Sequence, residues 1–224
     1  MLALLHTSPV HVPVFDALRD EDAPDLELRH VVEGQLLAQA RELGPDAVAG
    51  AVGTVLARAV AEGADAVLCT CSTIGAVAEA ASASLGVPVL RVDRPMAAAA
   101  VARGRRIAVV AAVASTLEPT AALIREEAGH RPLALRMVLA EHAWPFFEAG
   151  DTQAYVAEIA RTVDALTDVD VVVLAQASMA PAAARTTLEV PVLASPRPGL
   201  RAAAAAAATA AGATAAAAGQ TRTG

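Results

Sequence analysis

The sequence contains no lysine and no asparagine, four isoleucines, and five aromatic residues among 224. Alanine, in contrast, occurs 59 times. Because lysine, asparagine and isoleucine have A/T-rich codons, we attribute this bias to genomic base composition. Scarce aromatics exclude the stacking platforms of single-strand nucleic-acid binders. A net charge of −7 with scattered arginines leaves no basic stripe to neutralise phosphates, so we expect no nucleic-acid partner.

Long apolar runs are also missing. The one uncharged run near 20 residues, 202–221, is mostly alanine without the Leu, Ile or Phe that drives insertion. We therefore expect a surface-packed C-terminal helix and no membrane partner. The apolar run 1–5 lacks a basic segment and is too short for a signal peptide. The two cysteines lie two residues apart, where a disulfide is geometrically poor. These features predict a cytoplasmic protein.

Short apolar runs alternate with longer helical patterns along the chain. Continuously apolar strands separated by helices are typical of parallel α/β sheets covered on both faces. The eight predicted strands are 2–5, 26–32, 66–69, 87–90, 107–111, 133–139, 171–174 and 190–193.

The chain also repeats itself. Residues 64–74 lie over residues 169–179 at an offset of 105, and both copies continue through a helix into Val-Pro-Val-Leu, at 87–90 and 190–193. The match extends over four strands, which predicts an α/β protein with two pseudo-symmetric lobes. Each lobe should contain a four-stranded parallel sheet flanked by helices, with the active-site cleft between lobes. The predicted lobes are 1–95 plus 196–224, and 96–195.

Ligands of parallel sheets bind at the carboxyl ends of the strands, so polar residues at these positions are the candidates for a functional site. Cys71 follows a strand and precedes a helical stretch, 74–85. A thiol there faces the positive end of a helix dipole, which favours thiolate, and nearby backbone N–H groups could hold a carboxylate. Alternatively, Cys71 is a small buried core residue, which is our interpretation of Cys69. Further ligands at a usable spacing are missing, so we expect no metal.

Other polar residues at strand ends have weaker assignments. Helix capping by itself explains Ser72, Thr73 and Ser178. His6 ends the first strand and could contact a substrate, or it could be a satisfied structural histidine. Glu141 with the neighbouring histidine follows a strand of the second lobe and is a candidate auxiliary acid or base.

Three segments resemble the aspartate/glutamate racemase superfamily, which includes hydantoin racemase, maleate isomerase and arylmalonate decarboxylase. Cys71-Ser72-Thr73 resembles the first Cys-Asn-Thr motif of that family. Residues 173–180 resemble its second motif, Leu-Gly-Cys-Ala-Gly-Met-Ala, and 107–116 resembles the strand and loop that open its second lobe. The resemblance covers most of the chain. It implies two lobes with a cleft, cofactor-independent chemistry, and dimers.

One position departs from the family pattern. Family racemases use two cysteines, one per lobe, to move a proton on opposite faces of a carbon beside a carboxylate. Gln176 occupies the second position, and an amide has no useful acidity or basicity near pH 7. Two-base racemisation is therefore not expected. Arylmalonate decarboxylase resembles this pattern in mirror image, and maleate isomerase uses its first-lobe cysteine covalently.

We therefore predict a cofactor-independent enzyme that acts on a small carboxylate or carbon acid, with Cys71 as the one thiol acid/base or nucleophile. The alternatives are a single-cysteine decarboxylase, a catalytically degenerate carboxylate-binding protein, and a racemase in which His6 or Glu141 replaces the second cysteine. We expect no cofactor and a homodimer. The predicted substrate-binding residues are His6, Ser8, Ser72, Thr73, Ser115, Thr116, Gln176, Ala177 and Ser178, with Glu141 and His142 as auxiliary acid/base candidates.

Overall fold

A computed structural model describes the backbone of residues 1–220 and the side chains of residues 1–213. The described chain divides into two units. Unit 1 comprises Met1–Val92 with the described residues from Gly199 onward, and unit 2 comprises Asp93–Pro198. The predicted lobe boundaries lay three residues away, at 95/96 and 195/196. Residues 221–224, which we assigned to the first lobe, lie outside the described residues.

Unit 1 contains one parallel sheet with the strand order β2-β1-β3-β4. Short 3₁₀ helices, Pro9–His11 and Pro45–Val48, precede two of its α-helices. The elements in chain order are β1 (Leu2–His6), α1 (Val12–Asp22), β2 (Leu28–Val32), α2 (Gly34–Leu43), α3 (Ala49–Ala61), β3 (Ala66–Cys69), α4 (Ser72–Ala80), α5 (Ser82–Leu85) and β4 (Val89–Arg91).

Unit 2 has the same topology, with the strand order β6-β5-β7-β8, all parallel. Its elements are α6 (Arg94–Arg103), β5 (Arg106–Ala111), the 3₁₀ helix Ala114–Thr116, α7 (Leu117–Ala128), β6 (Ala134–Leu139), α8 (Trp144–Glu148), α9 (Thr152–Asp164), β7 (Val171–Leu174), the 3₁₀ helix Ala177–Ala184 and β8 (Val192–Ala194). The last helix, α10 (Pro196–Gln220), contributes its residues from Gly199 onward to unit 1.

Alternate strand residues enter different cores, because successive side chains of a strand point to opposite faces. On one face of the unit 1 sheet, Leu2 and Leu4 pack with Phe15 of α1 and Ala203 of α10. On the other face, Leu5 and its neighbours pack with residues of α2, α3 and α4. Unit 2 likewise has a core on each face of its sheet. The predicted α/β fold with two four-stranded parallel sheets is confirmed.

Proline explains where several predicted elements begin or end differently. β4 and β8 start one residue after Pro88 and Pro191, which have no N–H to donate to a strand ladder. The segment predicted to be helical in unit 2 is a 3₁₀ helix with Pro181 inside it.

In unit 1 the predicted helix 74–85 is divided at Ala81 into α4 and α5, without a proline.

The alanine-rich C-terminal segment is helical, as predicted, over its described part. Ala203 and Ala207 of α10 are buried against the unit 1 sheet. Within residues 1–220, no helix is long and apolar enough to cross a membrane.

Candidate active site

Cys71 lies immediately after β3 and is the N-cap residue of α4, with extended backbone angles (φ −107°, ψ 115°). Its side chain is half-buried and packs against a cluster that contains Ile74. The first amides of a helix have no intrahelical acceptor, so Cys71 sits where N–H groups and the helix dipole favour negative charge. Cys69 is fully buried in the core, as predicted, and its thiol lies 3.6 Å from the Cys71 carbonyl oxygen.

Ser72 and Thr73 occupy the first turn of α4, and each is 7% exposed. The prediction that they cap this helix is wrong, because the helix already begins at Ser72 and its N-cap position is Cys71. Both residues instead present their backbone amides at the helix terminus beside the thiol.

A buried arginine, which the sequence did not suggest, lies beside the same helix. Arg91 ends β4, is 3% exposed, and is in register with Cys69 of β3. A Cβ atom on Gly75 would lie 3.1 Å from Arg91 Nε and 3.2 Å from Arg91 Cβ. Glycine at this position therefore allows the arginine to lie closely against α4, one turn after Cys71.

His6 ends β1 and is completely buried. Its Nδ1 lies 2.8 Å from Thr70 Oγ1, and its Nε2 lies 2.8 Å from His30 Nδ1. Burial, followed by the proximity of His30 and His11, lowers the pKa of His6 to about 3. Both ring nitrogens are thus engaged within unit 1, which places His6 in a structural network instead of leaving it available to a substrate.

His30 connects this network to the surface. His30 Nε2 lies 3.1 Å from Asp16 Oδ1 on α1. Strand alternation could have suggested the pairing. His6 is opposite Val32 in the register, so His30, two residues earlier, points to the same face.

In unit 2, Gln176 occupies the position that corresponds to Cys71. It follows β7 and is the N-cap residue of the 3₁₀ helix, again with extended backbone angles (φ −121°, ψ 139°). Its side-chain Oε1 accepts the backbone N–H of Ala112 at 2.6 Å and of Val113 at 3.3 Å. Because both partners are donors, they identify the amide oxygen and leave Nε2 as the donor that Gln176 can offer elsewhere.

Ser178 lies inside the 3₁₀ helix, so the prediction that it caps a helix is also wrong. Its hydroxyl is 2.9 Å from the hydroxyl of Tyr155, a fully buried residue of α9 that the sequence did not single out. Burial raises the pKa of Tyr155 to about 12, so this phenol stays protonated at neutral pH. Tyr155 therefore holds the segment that follows Gln176.

The remaining candidates fall into three sets. Ser115 and Thr116 follow β5, next to the β7 end that carries Gln176, and Ser115 Oγ has no hydrogen-bond partner among the described residues. Ala177, which follows Gln176, is buried. Glu141 and His142, in contrast, are exposed in the turn after β6. Ser8 is a half-buried residue at the start of the 3₁₀ helix after β1.

The described part of the chain offers no arrangement of side chains suited to a metal ion. No group of three or more His, Cys, Asp or Glu residues there could hold a metal ion.

Each unit is a parallel sheet with polar residues at the carboxyl ends of neighbouring strands. This arrangement agrees with a match to a known family. Residues 11–217 match the model of the Asp/Glu/hydantoin racemase family. The protein therefore belongs to the Asp/Glu/hydantoin racemase family, whose members are racemases and isomerases. No curated protein matches the sequence significantly.

Solved structures show the same fold at low sequence identity. Aspartate racemase of Picrophilus torridus has a TM-score of 0.67 and 15% identity, over 95% of this chain and 94% of that one. Glutamate racemase of Thermus thermophilus has a TM-score of 0.64 and 21% identity, over 92% and 79%. A mutant of arylmalonate decarboxylase has a TM-score of 0.62 and 21% identity, over 92% and 93%.

Proposed function

We propose that the protein is a cofactor-independent enzyme of this family that acts on a small carboxylate or carbon acid, with Cys71 as its one thiol acid/base or nucleophile. One observation carries the proposal. Corresponding N-cap positions hold a half-buried thiol in unit 1 and, in unit 2, an amide bound to two backbone N–H groups. The thiol can thus move a proton, whereas the amide, with its oxygen occupied by two backbone N–H groups, can offer a ligand hydrogen bonds from Nε2 but no proton transfer.

In this proposal the Cys71 thiolate removes a proton from carbon, or the thiol delivers one, at a centre beside a carboxylate. Negative charge that develops on the substrate oxygens would be stabilised by the first-turn amides of α4, because preorganised donors are effective there. Gln176 Nε2 would donate to a substrate oxygen. An amide cannot return a proton to carbon, so we expect exchange or protonation without rapid two-base racemisation.

Hydrogen exchange in deuterated water tests the proposal. Candidate carbon acids, including amino acids, hydantoins and substituted malonates, are incubated with the protein, and deuterium incorporation is measured by mass spectrometry. Cys71→Ala should abolish exchange. Cys69→Ala is the matched control, because it removes a thiol two residues away that is fully buried in the core. Exchange that survives Cys71→Ala unchanged would exclude the proposed role.

A decarboxylase is the second candidate reaction, and the structural likeness to arylmalonate decarboxylase favours it. Release of carbon dioxide from a disubstituted malonate, with formation of one enantiomer, would support that chemistry. Racemic product would instead indicate a second acid or base, for which Glu141 is a candidate.

A binding protein that has lost catalysis is the alternative from another class. The two classes differ in thiol reactivity, which is measured by alkylation of the Cys69→Ala variant with iodoacetamide. Alkylation at pH 7 that is much faster than that of a free cysteine peptide favours catalysis. An ordinary rate, with carboxylate binding retained, favours the binding protein.

Three further features of the proposal concern partners and location. We propose a small carboxylate as the ligand, with no nucleic-acid or membrane partner, and a cytoplasmic homodimer. Composition supports the absence of nucleic-acid and membrane partners, and the family resemblance supports the carboxylate ligand and the dimer. Light scattering after size-exclusion chromatography should give twice the chain mass of 22.6 kDa.

A further inference from the structure

An unbroken chain of hydrogen-bond contacts crosses unit 1 from a strand end to the surface. Thr70 Oγ1 lies 3.1 Å from the Leu5 carbonyl oxygen and 2.8 Å from His6 Nδ1. His6 Nε2 lies 2.8 Å from His30 Nδ1, and His30 Nε2 lies 3.1 Å from Asp16 Oδ1. Both ends of this chain, a carbonyl and a carboxylate, are acceptors only.

The number of protons on the Thr70 hydroxyl and the two imidazoles limits how many of these four hydrogen bonds can form together. Four contacts between two acceptor ends need four protons, one for each hydrogen bond. The Thr70 hydroxyl supplies one proton, and neutral His6 and His30 supply one each. The chain is therefore one proton short when both imidazoles are neutral, and all four bonds form together only when one imidazole is an imidazolium.

The environment decides which imidazole carries the extra proton. His6 is fully buried, and its burial keeps the charged form unfavourable. His30 is 15% exposed in its side chain and contacts a carboxylate that is 41% exposed, so its charge is both solvated and paired. The titratable and charged groups around the two rings are Asp16 and Arg19 on α1, His11 before α1, and the ion pairs Arg29–Glu62 and Arg58–Glu33 beside β2.

We propose that His30 carries this proton against Asp16, and that its release reverses the tautomer of His6 and turns the Thr70 hydroxyl from Leu5 to His6. With His30 protonated, His6 donates from Nδ1 to Thr70, and Thr70 donates to the Leu5 carbonyl. Without that proton, Thr70 donates to His6 Nδ1, His6 donates from Nε2 to His30, and His30 donates to Asp16.

A second hydrogen bond at the Leu5 carbonyl explains why deprotonation breaks the contact between the Thr70 hydroxyl and Leu5. The Leu5 carbonyl also accepts the backbone N–H of Thr70 at 3.0 Å. It therefore keeps a partner when the hydroxyl turns away, whereas breaking the contact between Thr70 and His6 would leave the buried Nδ1 of His6 without a donor.

Histidine-selective ¹⁵N NMR tests this inference, because it distinguishes Nδ1–H from Nε2–H in a neutral ring. We expect His6 to stay neutral from pH 5 to pH 9 (a range of about four units around the ordinary histidine pKa). When the proton held between His30 and Asp16 is released, the proton on the His6 ring should move from Nδ1 to Nε2. An unchanged His6 tautomer, or a His6 that becomes cationic together with His30, would overturn the proposal.

Asp16→Asn supplies the decisive comparison. The asparagine amide can donate to a neutral His30 Nε2 and so provide the fourth proton without any charge. His6 should therefore keep Nδ1–H at every pH in this variant. Asp20→Asn is the matched control, since it removes the other carboxylate next to Arg19 and leaves the chain intact. Tautomer reversal in Asp16→Asn, as in the unaltered protein, would refute the proton count.

Thr70→Val tests the opposite end of the hydrogen-bond chain independently of Asp16. Without the hydroxyl acceptor, an Nδ1–H on His6 has no partner, so the reversal of the His6 tautomer should move to a lower pH than in the unaltered protein. The inference depends only on contacts within unit 1, so it stands or fails separately from the proposed function.

Discussion

Replacing Gln176 by methionine should destabilise unit 2, whatever reaction the protein catalyses. The side-chain oxygen of Gln176 is the acceptor of the Ala112 and Val113 backbone N–H groups at the end of β5. Methionine has a similar shape but accepts hydrogen bonds only weakly. The two N–H groups would then lose their acceptor, while the packing around the side chain would change little.

The expected size follows from the burial of the two donors. Ala112 is 4% exposed and its contact is short, so stranding its N–H costs about 1–3 kcal/mol. Val113 is half-buried and its contact is longer, at 3.3 Å, so its loss adds about 0.5 kcal/mol. A total of about 1.5–3.5 kcal/mol corresponds to a Tm that is lower by about 3–14 °C in a chain of this size.

Thermal unfolding followed by circular dichroism measures this loss, and amide hydrogen exchange locates it. Exchange of the Ala112 and Val113 amides should accelerate in Gln176→Met. Gln176→Glu is the control, because a carboxylate oxygen can accept the same two N–H groups, so this variant should retain most of the stability. If Gln176→Met melts within about 1 °C of the unaltered protein, the two hydrogen bonds do not stabilise unit 2 as argued. Gln176→Cys should lose comparable stability, which must be measured before its activity is interpreted.

Three further perturbations have defined outcomes. Gly199→Ala should lower the Tm, because its Cβ would lie 2.5 Å from the Val92 carbonyl oxygen, whereas Gly212→Ala on the same helix has open space and should stabilise the protein by about 0.5–1 kcal/mol. The folded-state pKa of His6, about 3, lies below its unfolded value of 6.5, so the unfolded state binds the proton first as pH falls. The free energy of unfolding, measured by urea titration, should therefore decrease by about 1.4 kcal/mol for each pH unit from pH 6.5 toward pH 3. His6→Gln should reduce that slope, whereas His142→Gln should not. Tyr155→Phe should cost about 1 kcal/mol in thermal unfolding by removing the hydrogen bond to Ser178, and an unchanged Tm would contradict that contact.

Much of the fold could be predicted because its determinants are local. Strands such as 107–111 and 171–174 are continuously apolar since both faces of a parallel sheet are covered, and the offset of 105 residues predicted the same topology twice. Element ends were less predictable. A proline inside 177–184 converts the expected helix into a 3₁₀ helix, and helix α4 begins at Ser72 instead of after it.

The candidate site could be predicted as positions along the chain but not as contacts. The sequence by itself determined that Cys71 and Gln176 follow corresponding strands, because the repeat and strand periodicity depend only on residue order. Only the tertiary structure decided that the Gln176 oxygen binds two backbone amides and that His6 is joined to His30 and Asp16. These contacts link residues distant in sequence, and their direction depends on which donors and acceptors the folded backbone brings within hydrogen-bonding distance.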